Sequence, residues 1–307
     1  MKTKHVSAFP YLYIIDPTNI CNLKCPLCLT GAGLGRQRKG TANLQTFKNF
    51  VDQIADYAIH VFLYNWGEPL LVRNIHEFIE YVKVKGITAS ISTNLSFPIG
   101  RDRAEGLITS GLDRLVVSCD GCDQASYETY RRGGQFSTVL KNISLLLDIR
   151  KSLKRKRPYI EWQFLLTGRN EGYTVQAKKV AENIGVDFFS IGTALLPFGY
   201  RADQYPEWIA SHRRSSPFPD IADSDLCNPC WWLWRAAVIN WDGTVSPCCY
   251  TDDERGIFGN IEKDQFLTIW NNHRFKNARG LFSKTRDGTF PCSSCSVFKR
   301  TLKSKAH

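Results

Sequence analysis

Short apolar runs alternate with amphipathic stretches from residue 11 to residue 192. The runs are YLYIID (11–16), HVFLYNW (60–66), ITASIST (87–93), DRLVVSC (113–119), YIEWQFLL (159–166) and VDFFSIG (186–192). Between them lie LQTFKNFVDQIADYA, IHEFIEYVKVKG, RAEGLITSG, FSTVLKNISLLLDIRK and YTVQAKKVAENIG, each with apolar residues at helical spacing. Several of these end in glycine (Gly86, Gly111, Gly185), which suits a helix stop. Six strand–helix units whose strands read as apolar on both faces predict a parallel sheet covered by helices. The expected fold class is therefore α/β, a curved, partial (β/α)6 parallel barrel. Functional residues are expected where its strands end and loops begin, at the C-terminal edge.

Beyond residue 192 the alternation stops. Residues 193–226 hold four prolines and no clear periodicity, and 201–226 reads as a linker or substrate loop. The expected organisation is a core over 1–200, this linker, a small cysteine-rich domain over 227–295, and a basic tail over 296–307.

The chain has 307 residues, enough for one large domain or two, and no apolar run near the about 18 residues needed to cross a bilayer. The start, MKTKHVSAFPYLYIID, is basic but lacks the apolar stretch and cleavage site of a signal peptide. A cytoplasmic location, where thiols stay reduced, is expected. The net charge of +11 suggests an anionic partner without identifying it. The densest basic run, Arg150 to Arg157, reads as the solvated end of a helix, and nucleic-acid binding is not expected because no recognition module accompanies it.

Eleven cysteines change the picture. They cluster at 21, 25 and 28, at 119 and 122, at 227 and 230, at 248 and 249, and at 292 and 295. A disulfide framework suits neither the compartment nor the chain size, so metal binding is the better explanation. The stretch CNLKCPLC follows directly after the first strand. Three thiolates can hold three irons of a [4Fe–4S] cube and leave one open to an outside ligand. A zinc site lacking its fourth ligand is the alternative, and no histidine near in sequence supplies one.

The C-x3-C-x2-C pattern at this place resembles the signature of the radical S-adenosylmethionine (SAM) superfamily. The resemblance implies that Cys21, Cys25 and Cys28 bind a [4Fe–4S] cluster whose open iron is chelated by SAM. An aromatic residue usually precedes the third cysteine in that family; here it is Leu27. Asn65-Trp66-Gly67-Glu68-Pro69 is similar to the family's Gly-Glu-Pro motif, which implies that Gly67, Glu68 and Pro69 face the methionine amino group. Ser92-Thr93-Asn94 and Ser118-Cys119-Asp120-Gly121 resemble segments that contact the ribose and the methionine carboxylate, pointing to Thr93, Asn94 and Ser118. Arg131, in YRRGG, is similar to the arginine that pairs with that carboxylate as a bidentate donor. Gln163, in the fifth strand, is expected to reach the cofactor. TGAGLGRQRKG (30–40) is neither GxGxxG nor a Walker motif and reads as the mobile end of the cysteine loop.

VINWDGTVSPC is read as a hairpin turning at Asp242-Gly243. With LWRAAVINWDGTVSPCC and Cys292-x2-Cys295, it resembles the SPASM/twitch extension of radical SAM enzymes. The dense cysteine run of two-cluster extensions is absent, so one auxiliary [4Fe–4S] cluster held by Cys230, Cys248, Cys292 and Cys295 is implied. Cys227 is an alternative to Cys230, and a four-cysteine zinc knot an alternative to the cluster. Neighbours on a strand point to opposite faces, so Cys249 is read as a structural thiol or as one facing the substrate, a candidate hydrogen-atom donor. Cys119 and Cys122 read as buried, inert thiols. The tryptophans at 208, 231, 232, 234 and 241 are expected mostly in the core of the small domain.

The expected function is reductive cleavage of SAM and removal of a hydrogen atom from an unactivated carbon, giving oxidation or epimerisation. A flavodoxin or ferredoxin-type protein is the implied electron donor. The substrate is expected to be a small molecule, with a sugar, aminocyclitol or glycoconjugate favoured over a peptide. A non-catalytic zinc or Fe–S protein binding RNA is the alternative from another class.

Overall fold

The computed structural model describes residues 4–35, 37–193, 206–208, 230–249, 251, 253–282 and 290–295. Cys227, the basic tail and the linker apart from 206–208 lie outside the described residues.

Six parallel strands stand where the apolar runs predict them: β1 (Leu12–Ile15), β2 (His60–Phe62), β3 (Thr88–Thr93), β4 (Arg114–Ser118), β5 (Tyr159–Leu166) and β6 (Phe188–Thr193). They pair in sequence order, with β6 at one edge. The helices between them are α1 (Leu44–Ile54), α2 (Ile75–Val84), α3 (Gly100–Thr109), α4 (Gln124–Tyr130), α5 (Phe136–Ser152) and α6 (Thr174–Ile184). Local chemistry explains each: in α1, Phe47, Phe50, Val51 and Ile54 form one buried stripe, and the Asn43 side chain accepts from the Gln45 and Thr46 amides. The helix α4 is absent from the apolar pattern. A capping box builds it, with Asp123 accepting from the Ser126 amide at 2.8 Å.

The strands are not apolar on both faces, as their sequence suggests. Val61, Leu63, Ala89, Ile91, Leu115, Val117, Ile160, Trp162 and Phe164 are buried in the core. The alternate positions carry His60, Ser90, Ser92, Arg114, Ser118, Glu161, Gln163 and Ser190, a polar inner face. His60 bridges the Thr88 and Ser90 hydroxyls at 2.7 and 2.8 Å, and Glu161 is engaged by Arg114 and Ser190. These internal pairs let polar side chains sit inside the sheet's curve.

The C-terminal segment continues this sheet. Its first strand, β7 (Ala236–Ile239), pairs parallel with β1, and β8 (Thr244–Ser246) and β9 (Gly259–Asn260) follow antiparallel. Gly243 turns the β7–β8 hairpin with φ of 76°, a left-handed conformation that glycine adopts without strain. Among the described residues, three short helices complete the segment: α7 (Trp232–Arg235), α8 (Phe266–Trp270) and α9 (His273–Gly280). The Phe266 ring lies 5.5 Å from Tyr13 and 5.8 Å from Phe50, so this segment shares the core of the first.

The tryptophans depart from expectation. Trp208 is buried, but Trp231 is 44% exposed and stacks on Trp232 at 4.8 Å. The basic run marks the end of α5, where Arg150 forks onto Asp187 at 2.5 and 3.1 Å and Arg157 meets Asp113 at 2.5 Å. Among the described residues, no helix is long and apolar enough to cross a membrane.

Candidate active site

The cysteine loop leaves the C-terminal end of β1. Leu23, Cys25 and Leu27 point into a small apolar cluster with Tyr130 and Trp208, against which Cys21 and Cys28 pack. Leu27, where the family pattern has an aromatic, thus anchors the loop. Arg38 to Gly40, at the far end of the next stretch, are tied down rather than loose: Asn19 donates to the Arg38 carbonyl at 2.7 Å and accepts from the Gly40 amide at 2.8 Å.

The three thiols share one electrostatic environment. Burial pushes Cys21 up to about 11 and Cys25 up to about 12; Cys28 raises both further, while Arg131 opposes it. Donors nevertheless surround the sulfurs. Cys21 Sγ faces the Leu23 amide at 3.5 Å and Asn94 Nδ2 at 3.8 Å, and Cys25 Sγ faces Arg131 Nη1 at 4.0 Å. This is an all-sulfur donor set with hydrogen-bond donors directed at it, and it fits an iron–sulfur cluster. Among the described residues, no three His, Cys, Asp or Glu side chains converge on the position of a single ion. A cubane asks for something else, one thiolate at each of three irons.

The ends of the neighbouring strands close around this loop. After β2 the chain passes so near Thr18 that a Cβ on Gly67 would lie 1.9 Å from the Thr18 carbonyl oxygen. Only glycine fits. The Glu68 amide then donates to the Ile20 carbonyl at 2.9 Å, one residue before Cys21. Buried Asp16 holds the base of the loop by accepting from the Trp66 amide at 3.3 Å, and burial raises its carboxyl to about 8. Pro69 opens a single 3-10 turn, Pro69–Leu71, capped by Glu68.

The Glu68 carboxylate is 2% exposed and already engaged. It accepts from the Thr93 hydroxyl at 2.6 Å, the Asn94 amide at 2.6 Å and the Leu70 amide at 3.0 Å. Asn94 in turn donates to Asn22 Oδ1 at 2.9 Å, linking the end of β3 to the cysteine loop. Ser118, at the end of β4, meets the Ser92 hydroxyl at 3.2 Å. The Gln163 side-chain amide makes no hydrogen bond among the described residues and lies on the inner face beside Ser118, its register partner. Arg131 stands at the C-terminus of α4, its Nε on Asp120 Oδ2 at 2.6 Å. The sequence reading quoted Asp120 only within a motif and missed it as the partner of Arg131. Nothing in the spacing of 120 and 131 announces the pair.

A second group forms where the C-terminal segment folds back. Cys230 precedes α7, Cys248 follows β8, and Cys292 opens a single turn ending at Cys295. Burial pushes Cys230 up to about 12, with Cys248 and Cys295 adding to it; Cys292 is pushed well up by burial, then by Cys248, Cys230 and Cys295. The four thiols are thus near enough to act on one another electrostatically, and an all-sulfur set of this kind suits an auxiliary cluster.

Cys249 departs from the strand argument. The strand β8 ends at Ser246, so the opposite-face rule does not reach Cys248 and Cys249, and the two thiols are hydrogen-bonded to each other. Cys249 is also near Tyr64, whose hydroxyl burial raises to about 12, with Arg114 lowering it and Cys249 and Glu161 raising it. The sequence reading missed Tyr64, which continues the inward alternation of His60 and Phe62. Cys119 is buried in the main core, and Cys122 contacts the Ser126 hydroxyl at 3.7 Å.

Comparison with known proteins agrees with this geometry. Residues 15–153 match the radical SAM superfamily, and residues 230–296 match the SPASM iron–sulfur cluster-binding domain. The chain is 24% identical to the AdoMet-dependent heme synthase of Nitratidesulfovibrio vulgaris, across 92% of this chain and 84% of that one. It shares its fold with BtrN, solved in complex with AdoMet and 2-DOIA, at a TM-score of 0.57 and 16% identity, covering 95% of this chain and 94% of that one. It also shares its fold with Streptococcus suis SuiB, solved bound to precursor peptide SuiA, at a TM-score of 0.65 and 15% identity, covering 95% of this chain and 71% of that one. With its thiol triad at the end of β1 and its second group of four thiols in the C-terminal segment, the chain belongs to the radical SAM superfamily and carries a C-terminal SPASM-type domain for an auxiliary iron–sulfur cluster.

Proposed function

We propose that the enzyme removes a hydrogen atom from an unactivated carbon of a hydroxyl-bearing substrate, a sugar, aminocyclitol or glycoconjugate, and completes an oxidation or an epimerisation. The observation that carries this reading is the polar inner face, where Ser92, Ser118 and Gln163 lie together and Tyr64 lies near Cys249. Hydroxyl and amide groups in that position suit a ligand rich in hydroxyls. A cluster held by Cys21, Cys25 and Cys28 would, with SAM bound, supply one-electron reductive chemistry at the sulfonium. The chain's own residues do the rest. Gly67 and Pro69 shape the bend that receives the methionine amino group, Thr93, Asn94, Ser118 and Gln163 line the strand ends, and Arg131 offers its remaining N–H groups to the carboxylate. A flavodoxin or ferredoxin-type protein supplies electrons. Anaerobic turnover assays reading 5′-deoxyadenosine test the substrate class, and release stimulated only by peptides would reject it. The fold likeness to SuiB favours a peptide as the second reading, and the relation to heme synthase adds a tetrapyrrole to the same screen.

Replacement of Glu68 by alanine is expected to lower SAM affinity about tenfold or more while both clusters remain. Three donors lose a buried acceptor, and the bend that the cofactor meets loosens. Titration calorimetry with SAM checks this; unchanged affinity would confine Glu68 to bracing Thr93 and Asn94.

For epimerisation, Cys249 is the proposed donor. Its S–H bond breaks as the hydrogen atom passes to the substrate carbon, and one electron from the external donor with one proton restores the thiol. In deuterated buffer the wild-type enzyme is expected to place solvent deuterium at the reacting carbon. Cys249→Ala is expected to lose that label while still cleaving SAM. Full turnover by the variant would remove Cys249 from the mechanism and leave oxidation as the reaction.

A further inference from the structure

The buried pair Asp120–Arg131 has no counterpart in the sequence reading, and its geometry is directional. Asp120, two residues past the end of β4, has no exposed surface. Its Oδ1 accepts from the Leu165 amide at 2.7 Å, and its carbonyl accepts from Asn170 Nδ2 at 3.2 Å. Asn170 also donates to the Leu165 carbonyl at 2.9 Å, so β5 holds the carboxylate while the following loop holds the Asp120 backbone. Oδ2 alone is left for Arg131, which it meets at 2.6 Å. The guanidinium lies over the Tyr130 ring, 5.2 Å from its centroid, and its Nη1 reaches 4.0 Å from Cys25 Sγ. The Arg131 side chain is 12% exposed, its charge balanced by Asp120 and its N–H groups fixed in a planar fork.

We infer that Asp120 is a positioning residue for the cluster of the first thiol group: it holds the Arg131 guanidinium so that an N–H stays directed at the Cys25 sulfur. The inference rests on Cys25 being a cluster ligand. An N–H directed at a ligating sulfur stabilises the more negative, reduced cluster and so raises its potential. Asp120 and Arg131 thereby set how readily the enzyme accepts the electron that starts each turnover. The sign separates positioning from simple charge. Removing the negative charge of Asp120 raises the potential if Arg131 stays in place. It lowers the potential if Arg131 leaves Cys25.

The experiment is an EPR-monitored redox titration of the reconstituted holoenzyme, with the auxiliary cluster as internal reference. Arg131→Gln is expected to lower the ratio of reduced to oxidised cluster about tenfold at a fixed poise. Asp120→Asn, which keeps an acceptor for the Leu165 amide, is expected to shift it in the same direction. An unshifted or raised potential in Asp120→Asn overturns the inference. If that variant does not fold, Asp120→Asn with Arg131→Gln removes both charges together and avoids an unpaired buried one. With Arg131 already gone only the Asp120 charge remains to act, so its potential is expected at or above that of Arg131→Gln, and a lower one overturns the inference. Absence of a first-site cluster signal in the wild-type protein would instead reject Cys25 as a ligand, which distinguishes the two failures.

Discussion

Simultaneous replacement of Cys21, Cys25 and Cys28 by alanine is expected to halve the iron of the reconstituted protein, from about eight to about four per chain, and to abolish SAM cleavage. The expectation follows from two separate donor sets. The thiols that raise Cys25 are Cys28 and Cys21, whereas those that raise Cys292 are Cys248, Cys230 and Cys295. The fold should survive, because Leu23 and Leu27 keep the loop seated on Tyr130 and Trp208. Iron analysis, the visible spectrum and 5′-deoxyadenosine release decide it. Stoichiometric zinc without a brown chromophore, or undiminished iron in the variant, would refute the assignment of these cysteines.

The second large effect is expected from Gly67→Ala. The added carbon would stand 1.9 Å from the Thr18 oxygen and 2.9 Å from the Ile20 oxygen, both backbone atoms with no flexible end to yield. Accommodation must displace the Thr18–Ile20 segment, break the Glu68-to-Ile20 hydrogen bond and shift the start of the cysteine loop. Overpacking of this kind costs about 1–3 kcal/mol. The functional loss should be larger than the stability loss, since the displaced atoms lie between the Gly-Glu-Pro bend and Cys21. A thermal melt of the holoenzyme together with SAM titration tests it, and wild-type affinity in the variant would show that the bend does not shape the cofactor site.

Much of this architecture was legible because parallel strands and amphipathic helices write long apolar signals. Five of the six strands fall within their predicted runs, and β6 overruns its own by one residue, Thr193. What was not legible had no such signal. The seven-residue α4 is specified by the Asp123–Ser126 cap, and it alone brings Arg131 to Asp120 and Cys25. The polarity of the inner face was masked by the strength of the outer one, where Val61, Ile91, Val117 and Trp162 dominate each run. The strand alternation invoked for Cys248 and Cys249 does not hold, because β8 ends at Ser246, just before Pro247. The convergence of four cysteines spanning 66 positions, Cys230 to Cys295, came from resemblance, since nothing local in a chain encodes contact at that range.

β1 is an interior strand, paired with β2 on one side and β7 on the other. The strand that launches the first cysteine loop is therefore completed by residues more than two hundred positions later. Cutting the chain before residue 230 would leave that strand's hydrogen-bonding groups bare, an edge that invites association with other copies. It would also strip Tyr13 and Phe50 of Phe266. The C-terminal segment is thus a poor candidate for transplantation. A hybrid enzyme that exchanges auxiliary regions between relatives must carry the β7–β8 hairpin with the half it supports, and the point of exchange belongs in the loops outside the sheet.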